Sequence, residues 1–283
     1  MAVHDLAAVH HLISISGFPH ALEKLRFMLK HDPEGCFVTE DTDGGIVGCA
    51  FSGVRGRVAW FGPLAVCRER QGRGIGSELF RRFDARARAV ADVGVLCVRE
   101  DNLPAITIYT RQGYRPVTRC YYVGGRLGLL PDPDELKLDS AFIISSVQRE
   151  DLAWISLLDR EVYGAVRCHD LRYIYDQNPA GAVCLKESGV IRAYIFTSDE
   201  GFVGPGQAPQ SSELFLLLAE LKNRIGDVEV WLRTSDEELV EYCLARGFKR
   251  RDFAPFFLLL ERQYKVPVTR AHRPYIMMSW DKG

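Results

Sequence analysis

Residues 64–77 read L-A-V-C-R-E-R-Q-G-R-G-I-G-S and constrain the fold more tightly than any other stretch of the chain. An apolar run ends at Val66, a glycine-rich turn occupies 71–76, and a helical pattern follows at once. This order predicts a strand, a tight loop and a helix that opens directly on the loop. The first N–H groups of a helix have no partner within it and point forward. The helix dipole favours negative charge in front of them. Gly72, Gly74 and Gly76 let the backbone adopt left-handed dihedrals and come close to a ligand. The predicted ligand is a polyphosphate or pyrophosphate.

Three phosphate-loop patterns compete for these glycines. A P-loop ends in Gly-Lys-Ser/Thr, but residues 64–77 hold no lysine. A dinucleotide fingerprint starting at Gly72 would need a third glycine at 77, where Ser77 stands. The pattern Q/R-x-x-G-x-G/A is filled by Gln71, Gly74 and Gly76. With it the chain resembles the GNAT superfamily of acetyl-CoA-dependent N-acetyltransferases. The resemblance extends to both sides, over residues 5–123. Upstream, W-F-G-P-L-A-V (60–66) looks like that family's central splayed strand, and V-L-C-V-R-E (95–100) looks like its next strand. Downstream, Asn102, Ala105, Tyr109 and Gly113-Tyr114 match N-x-x-A-x-x-x-Y-x-x-x-G-F/Y.

The resemblance implies a cofactor, acetyl-CoA, and a set of site residues. Leu64, Ala65 and Val66 would run beside the pantetheine arm, with an N–H near Val66 facing the thioester carbonyl. Gln71, Gly72, Arg73, Gly74, Ile75, Gly76 and Ser77 would form the diphosphate site, with Arg68, Arg70 or Arg73 as further phosphate partners. Asn102 would contact the cofactor arm or a water. Tyr109 is implied as the general acid that reprotonates the leaving thiolate, because a phenol with a pKa of about 10 suits a thiol. For the base, Glu40, Asp41, Glu100 and Asp101 all end strands and stay open alternatives. Cys67 has no identifiable histidine partner, which favours direct transfer over an acyl-enzyme.

At 283 residues the chain is long enough for two domains. The formal charge of −1 gives no electrostatic reason to expect nucleic acid. The 8 cysteines form no C-x-x-C and read as reduced core thiols, and no metal pattern emerges. The start lacks a basic head and a long apolar run, so a cytoplasmic protein with no membrane segment is expected.

The expected fold class is α/β (α+β), with two tandem GNAT-like domains, each a mixed, mostly antiparallel splayed sheet flanked by helices. Helical periodicity covers 5–15 and 19–31. Strands are predicted at 35–41, 46–54, 57–66, 94–99 and 114–123, and helices at 75–91 and 103–112. On the helix at 75–91, Arg81, Arg82, Arg86 and Arg88 read as a solvated face. A catalytic domain at 1–123, a Gly/Pro/Asp-rich linker at 124–140 and a second domain at 141–283 follow.

The second domain echoes the first. Phe202-Val203-Gly204-Pro205 parallels Trp60-Phe61-Gly62-Pro63, Ser212-Glu213-Leu214-Phe215 repeats Ser77-Glu78-Leu79-Phe80, and Gly247-Phe248 parallels Gly113-Tyr114. Ser77 to Gly113 spans 36 positions and Ser212 to Gly247 spans 35. Landmarks in one order at one interval argue for an internal duplication. Gly62 to Ser77 takes 15 positions, but Gly204 to Ser212 takes 8, so the second copy lacks the phosphate loop. In the same register Asn102 becomes Asp236 and Tyr109 becomes Cys243. It resembles the degenerate C-terminal domain of two-domain GNAT proteins, which shapes an acceptor pocket or serves packing. P-Y-I-M-M-S-W (274–280) reads as a final strand with no assigned partner. The expected activity is N-acetylation of a small-molecule amine by a monomer or homodimer. A protein or peptide N-acetyltransferase and a non-catalytic acyl-CoA sensor are the alternatives.

Overall fold

In the computed structural model, the residues described are 1–18, 21–136, 141–251, 256–268, 270–271 and 273–277. The chain divides into two compact units. The first takes Met1–Val117 and Leu258–Val268, and the second takes Thr118–Phe257 and Thr269–Ser279. The sequence reading placed contiguous domains at 1–123 and 141–283. In the structure the C-terminal stretch serves first one unit and then the other.

The first unit opens with helices α1 (Leu6–Ile15) and α2 (Leu22–His31). Strands β1 (Phe37–Glu40), β2 (Ile46–Arg55) and β3 (Val58–Val66) then form an antiparallel meander. Helix α3 (Ile75–Val90), strand β4 (Val93–Arg99) and helix α4 (Leu103–Arg111) follow. Period-2 alternation along β2 explains the two-sided core. Cys49 and Phe51 join Val9, Leu12, Ile13 and Leu25 under the first two helices. Ala50 faces the other way, into a cluster with Phe61, Leu79, Phe80, Phe83 and Tyr109.

Strand β5 (Arg115–Arg126) begins in this unit and continues into the second. It is longer than the predicted 114–123, and the expected linker is not a free tether. Leu127 and Leu130 are buried in the second unit's core, beside Leu217 and Leu221. Composition signalled a loop there; apolar burial decided otherwise. Residues 137–140 of that predicted linker lie outside the described residues.

The second unit continues through β6 (Phe142–Ser146), α5 (Asp151–Tyr163), α6 (Cys168–Gln177), β7 (Val183–Glu187), β8 (Val190–Thr197) and β9 (Phe202–Gln207). Helix α7 (Ser211–Ile225), β10 (Glu229–Thr234), α8 (Glu237–Leu244) and the short β11 (Lys249–Arg250) follow. Strand β12 (Phe256–Gln263) carries the chain back to the first unit. There Tyr264 donates to buried Asp84 (2.8 Å), and its hydroxyl lies 2.5 Å from that of Tyr114. The last described strand, β13 (Tyr275–Ile276), pairs with both β9 and β10. It covers two residues of the predicted 274–280, and 278–280 lie outside the described residues.

The duplication is visible in the backbone. Phe61 and Ser52 pair, as do Leu64 and Ala50, so three steps on β3 face two on β2. In the second unit Val203 pairs with Thr197 and Gly206 with Ile195, the same excess on β9. Both are β-bulges at a Gly-Pro pair. Gly62 has φ +130° and Gly204 +129°; Gly113 has +86° and Gly247 +87°. Beside each bulged strand runs a parallel neighbour, β4 in one unit and β10 in the other.

Candidate active site

The bulge opens the first unit's sheet. The β3–β4 ladder covers Val58–Phe61 against Val93–Leu96 and stops there. Pro63 has no N–H to extend it. Beyond that point residues 64–66 keep their pairing to β2 on one edge only. An extended strand with one unpaired edge is a ready acceptor for an extended chain.

The glycine loop sits at the end of the same strand. Gly72 has φ +76°, and Gly74, the residue before the helix, has φ +83° and ψ −3°. The first intrahelical bond runs from Glu78 N–H to Gly74 C=O at 3.0 Å. Among the described residues, no protein acceptor takes a hydrogen bond from the N–H groups of residues 72–77. A Cβ at Gly72 or Gly74 would meet nothing within 4 Å, so the space in front of the loop is open. A run of unpaired amides ahead of the 16-residue α3, whose dipole points the same way, fits a diphosphate. Gly76 lies between the strand and helix α4: a Cβ there would sit 3.7 Å from Leu64, 3.8 Å from Val66 and 4.0 Å from Ile108. Arg73, Ser77 and Arg68 are exposed at the loop, and Ile75 is half-buried. The Gln71 side chain turns back and donates to Val66 C=O at 3.0 Å, fixing the end of the strand to the start of the loop.

Tyr109, the next residue along α4 after Ile108, is 5 % exposed. Its ring centre lies 4.6 Å from that of Phe80 and 6.1 Å from that of Phe61, the last residue of β3 paired with β4. Burial among these rings pushes its phenol well above the ordinary value. The group therefore keeps its proton throughout the neutral range. Asn102 is the N-cap of α4: its Oδ1 accepts from Ala105 N–H at 3.2 Å. Asp236 holds the matching place on α8, accepting from Leu239 N–H at 3.1 Å, and Cys243 is buried on that helix.

Several charged residues are committed to structure. Arg70 pairs with Asp41, so the two charges already balance each other beside the loop. Arg99 grips Asp101 through two bonds, at 2.9 and 2.5 Å, and holds its carboxyl below the usual range. A carboxylate so held is a poor base. Glu40 is exposed at the end of β1, and Glu100 is half-buried just past β4. The arginines of α3 are not a solvated face throughout. Arg86 pairs with nearly buried Asp32 at 2.5 and 3.1 Å, and Arg88 reaches buried Asp84 at 3.0 Å. Helical periodicity shows which side of α3 these arginines occupy, but the acidic partners come from distant sequence. Cys67 is half-buried, Cys168 is exposed, and the other six cysteines are buried; none of the eight is in a disulfide. Among the described residues no cluster of His, Cys, Asp and Glu could hold a metal ion. No described helix is long and apolar enough to cross a membrane.

Comparison with known proteins agrees with this geometry. Residues 5–114 match the model of the acetyltransferase (GNAT) family. No curated protein matches the sequence. A candidate acetyltransferase from Pyrococcus horikoshii superposes with a TM-score of 0.76 at 18% identity, covering 99% of this chain and 93% of that one. A GCN5-related N-acetyltransferase from Sphaerobacter thermophilus gives 0.65 at 16%, over 99% and 96%. A tandem GNAT protein from the clavulanic acid biosynthesis pathway gives 0.58 at 14%, over 93% and 96%. Residues 5–114 thus match the GNAT acetyltransferase family, and the chain has the fold of tandem GNAT proteins.

Proposed function

We propose that the first unit transfers an acetyl group from acetyl-CoA to the amine of a small molecule, by direct attack and without an acyl-enzyme. The observation that carries this reading is the union of an open strand edge at 64–66 with a loop of unpaired amides at 72–77. Acetyl-CoA supplies an activated thioester when bound. The amides of residues 72–77 would hold its diphosphate, with Arg68 and Arg73 near enough in sequence to add charge. Main-chain groups of Leu64 and Val66, which face away from β2 on either side of Ala65, would pair with the pantetheine arm as a strand does. The Val66 N–H would donate to the acyl oxygen, where negative charge grows during transfer. Gln71 acts as a positioning residue, since it holds the Val66 carbonyl. Asn102 shapes the start of α4, and through it the place of Tyr109.

Tyr109 would hold a proton at its phenol oxygen and give it to the departing thiolate. Burial keeps that proton in place at neutral pH, so the phenol can donate but not accept; the same burial makes it a weaker acid than the thiol-matched phenol expected from the sequence. Glu100 and Glu40 remain as groups able to accept the amine proton, directly or through water. The tandem neighbour from clavulanic acid biosynthesis belongs to small-molecule chemistry, in keeping with a small amine acceptor. A panel of amines assayed for thiol release from acetyl-CoA tests the reading. Turnover with small amines is expected. Release only with peptides bearing a free amine would replace that acceptor class, and no release with any acceptor would remove the enzyme reading.

A further inference from the structure

The second unit has the same splayed strand, and its opening is filled. The parallel ladder between β9 and β10 joins Phe202 and Val203 to Trp231 and Leu232. It ends before Gly204-Pro205, as the first unit's ladder ends before Gly62-Pro63. By that register Gly206, Gln207 and Ala208 correspond to Leu64, Ala65 and Val66. Strand β13 lies against this stretch: Ile276 pairs with Gly206 and Tyr275 with Gln207. Ala208 N–H donates to Pro274 C=O at 3.2 Å. On the opposite rim Met277 N–H donates to Arg233 C=O at 2.8 Å, and Thr234 Oγ1 donates to Tyr275 C=O at 2.6 Å. Both rims are thus satisfied by one inserted segment, and Ile276 is fully buried.

The segment is also tied down by its side chains. The Tyr275 hydroxyl bonds Arg167, whose guanidinium grips Asp159 at 2.6 and 2.9 Å. Tyr194 donates to the same carboxylate at 2.6 Å. Arg167 and Asp159 are both buried. In the first unit this face of the sheet is apolar, with Cys49 and Ala65 packed on Ile13. Nearby, Ala271 N–H donates to Glu161 C=O at 2.7 Å, and Arg273 pairs with the Glu161 carboxylate at 2.9 Å.

We infer that β13 is a built-in occupant of the second unit's cofactor slot, latched by Tyr275 on the Arg167–Asp159 pair. The segment 274–277 makes the main-chain bonds that a pantetheine arm would make in the first unit. The second unit is therefore a strand-binding slot for an extended peptide, satisfied by the chain's own C-terminal residues and closed to acyl-CoA. The comparison with pantetheine rests on the proposed function; the strand insertion and its latch do not.

Calorimetry with coenzyme A and amide hydrogen exchange on the full chain test the inference together. One equivalent of coenzyme A is expected; two equivalents would overturn the closure. The amides of Ala208 and Met277 are expected to be as protected as those of β8, and exchange at loop rates would overturn the insertion. Tyr275→Phe keeps the ring and removes the latch. It is expected to speed exchange at those two amides about tenfold or more, as loss of a hydrogen bond to a charged group would. Coenzyme A stoichiometry should stay at one in that variant. Unchanged exchange in Tyr275→Phe would overturn the latch. No coenzyme A binding at all would sink the proposed function while leaving the exchange result readable.

Discussion

A single methyl group at Gly74 separates backbone strain from ligand exclusion. Gly74 has φ +83°, and Gly44, in the β1–β2 turn, has φ +79°. A Cβ at either position meets nothing within 4 Å. Alanine at each therefore pays the same left-handed penalty, about 1 kcal/mol, with no protein clash added. Only Gly74 faces the space in front of the amides of residues 72–77. A methyl group there would push a diphosphate away from at least one charge-assisted bond, a loss of about 1.5–3 kcal/mol. That is about a tenfold to hundredfold weaker affinity. Urea denaturation and coenzyme A calorimetry on both variants give the two quantities separately. Both should lose similar stability, Gly44→Ala should bind as the parent does, and Gly74→Ala should bind at least about tenfold more weakly. Equal affinities in the two variants would refute the assignment of the loop.

Further outcomes follow from the site and its supports. Tyr109→Phe should lower kcat by about tenfold or more while the coenzyme A Kd stays within about twofold; a matching loss of affinity would point to a binding role instead. Because burial raises the Tyr109 phenol, its neutral form stabilises the fold fully below pH about 10, and that contribution is lost as pH rises further; Tyr109→Phe should flatten the alkaline end of the stability profile. Asp84→Asn should destabilise the chain by about 3 kcal/mol in denaturant titration, because Arg88, Arg262 and Tyr264 all meet that buried carboxylate. Asp101→Asn should leave both turnover and stability almost unchanged, since its exposed carboxylate is engaged by Arg99 in a surface ion pair. Cys67→Ser should retain turnover, and no radiolabelled acetyl should remain on the protein after the acceptor is removed.

Much of the fold was legible because the signals are local. The alternation along β2 and the spacing of Leu79, Phe83 and Ala87 on α3 each follow from one element's own period, and Asp43-Gly44-Gly45 between β1 and β2 is a local turn signal. The candidate site was legible for the same reason: strand end, glycine loop and helix start are contiguous. What the sequence hid depends on long-range contact. Asp84 is an acidic residue on a helix face until Tyr264 and Arg262 arrive from 178 or more positions away. Asp32 and Arg86 are far apart in sequence and meet only in the folded sheet–helix layer. Leu127 and Leu130 sit in a stretch whose Gly, Pro and Asp content hides two buried side chains. The pairing of β13 could not be read from 274–277 because a short apolar strand carries no address. Its place is set by the bulge at Gly204-Pro205 and by Tyr275 finding Arg167.

The most direct test is diffraction from crystals grown with coenzyme A. The diphosphate is expected about 3 Å from the amides of residues 72–77, with the pantetheine arm along Leu64, Ala65 and Val66. Density for the diphosphate at the second unit, or anywhere away from the 72–77 loop, would contradict the site.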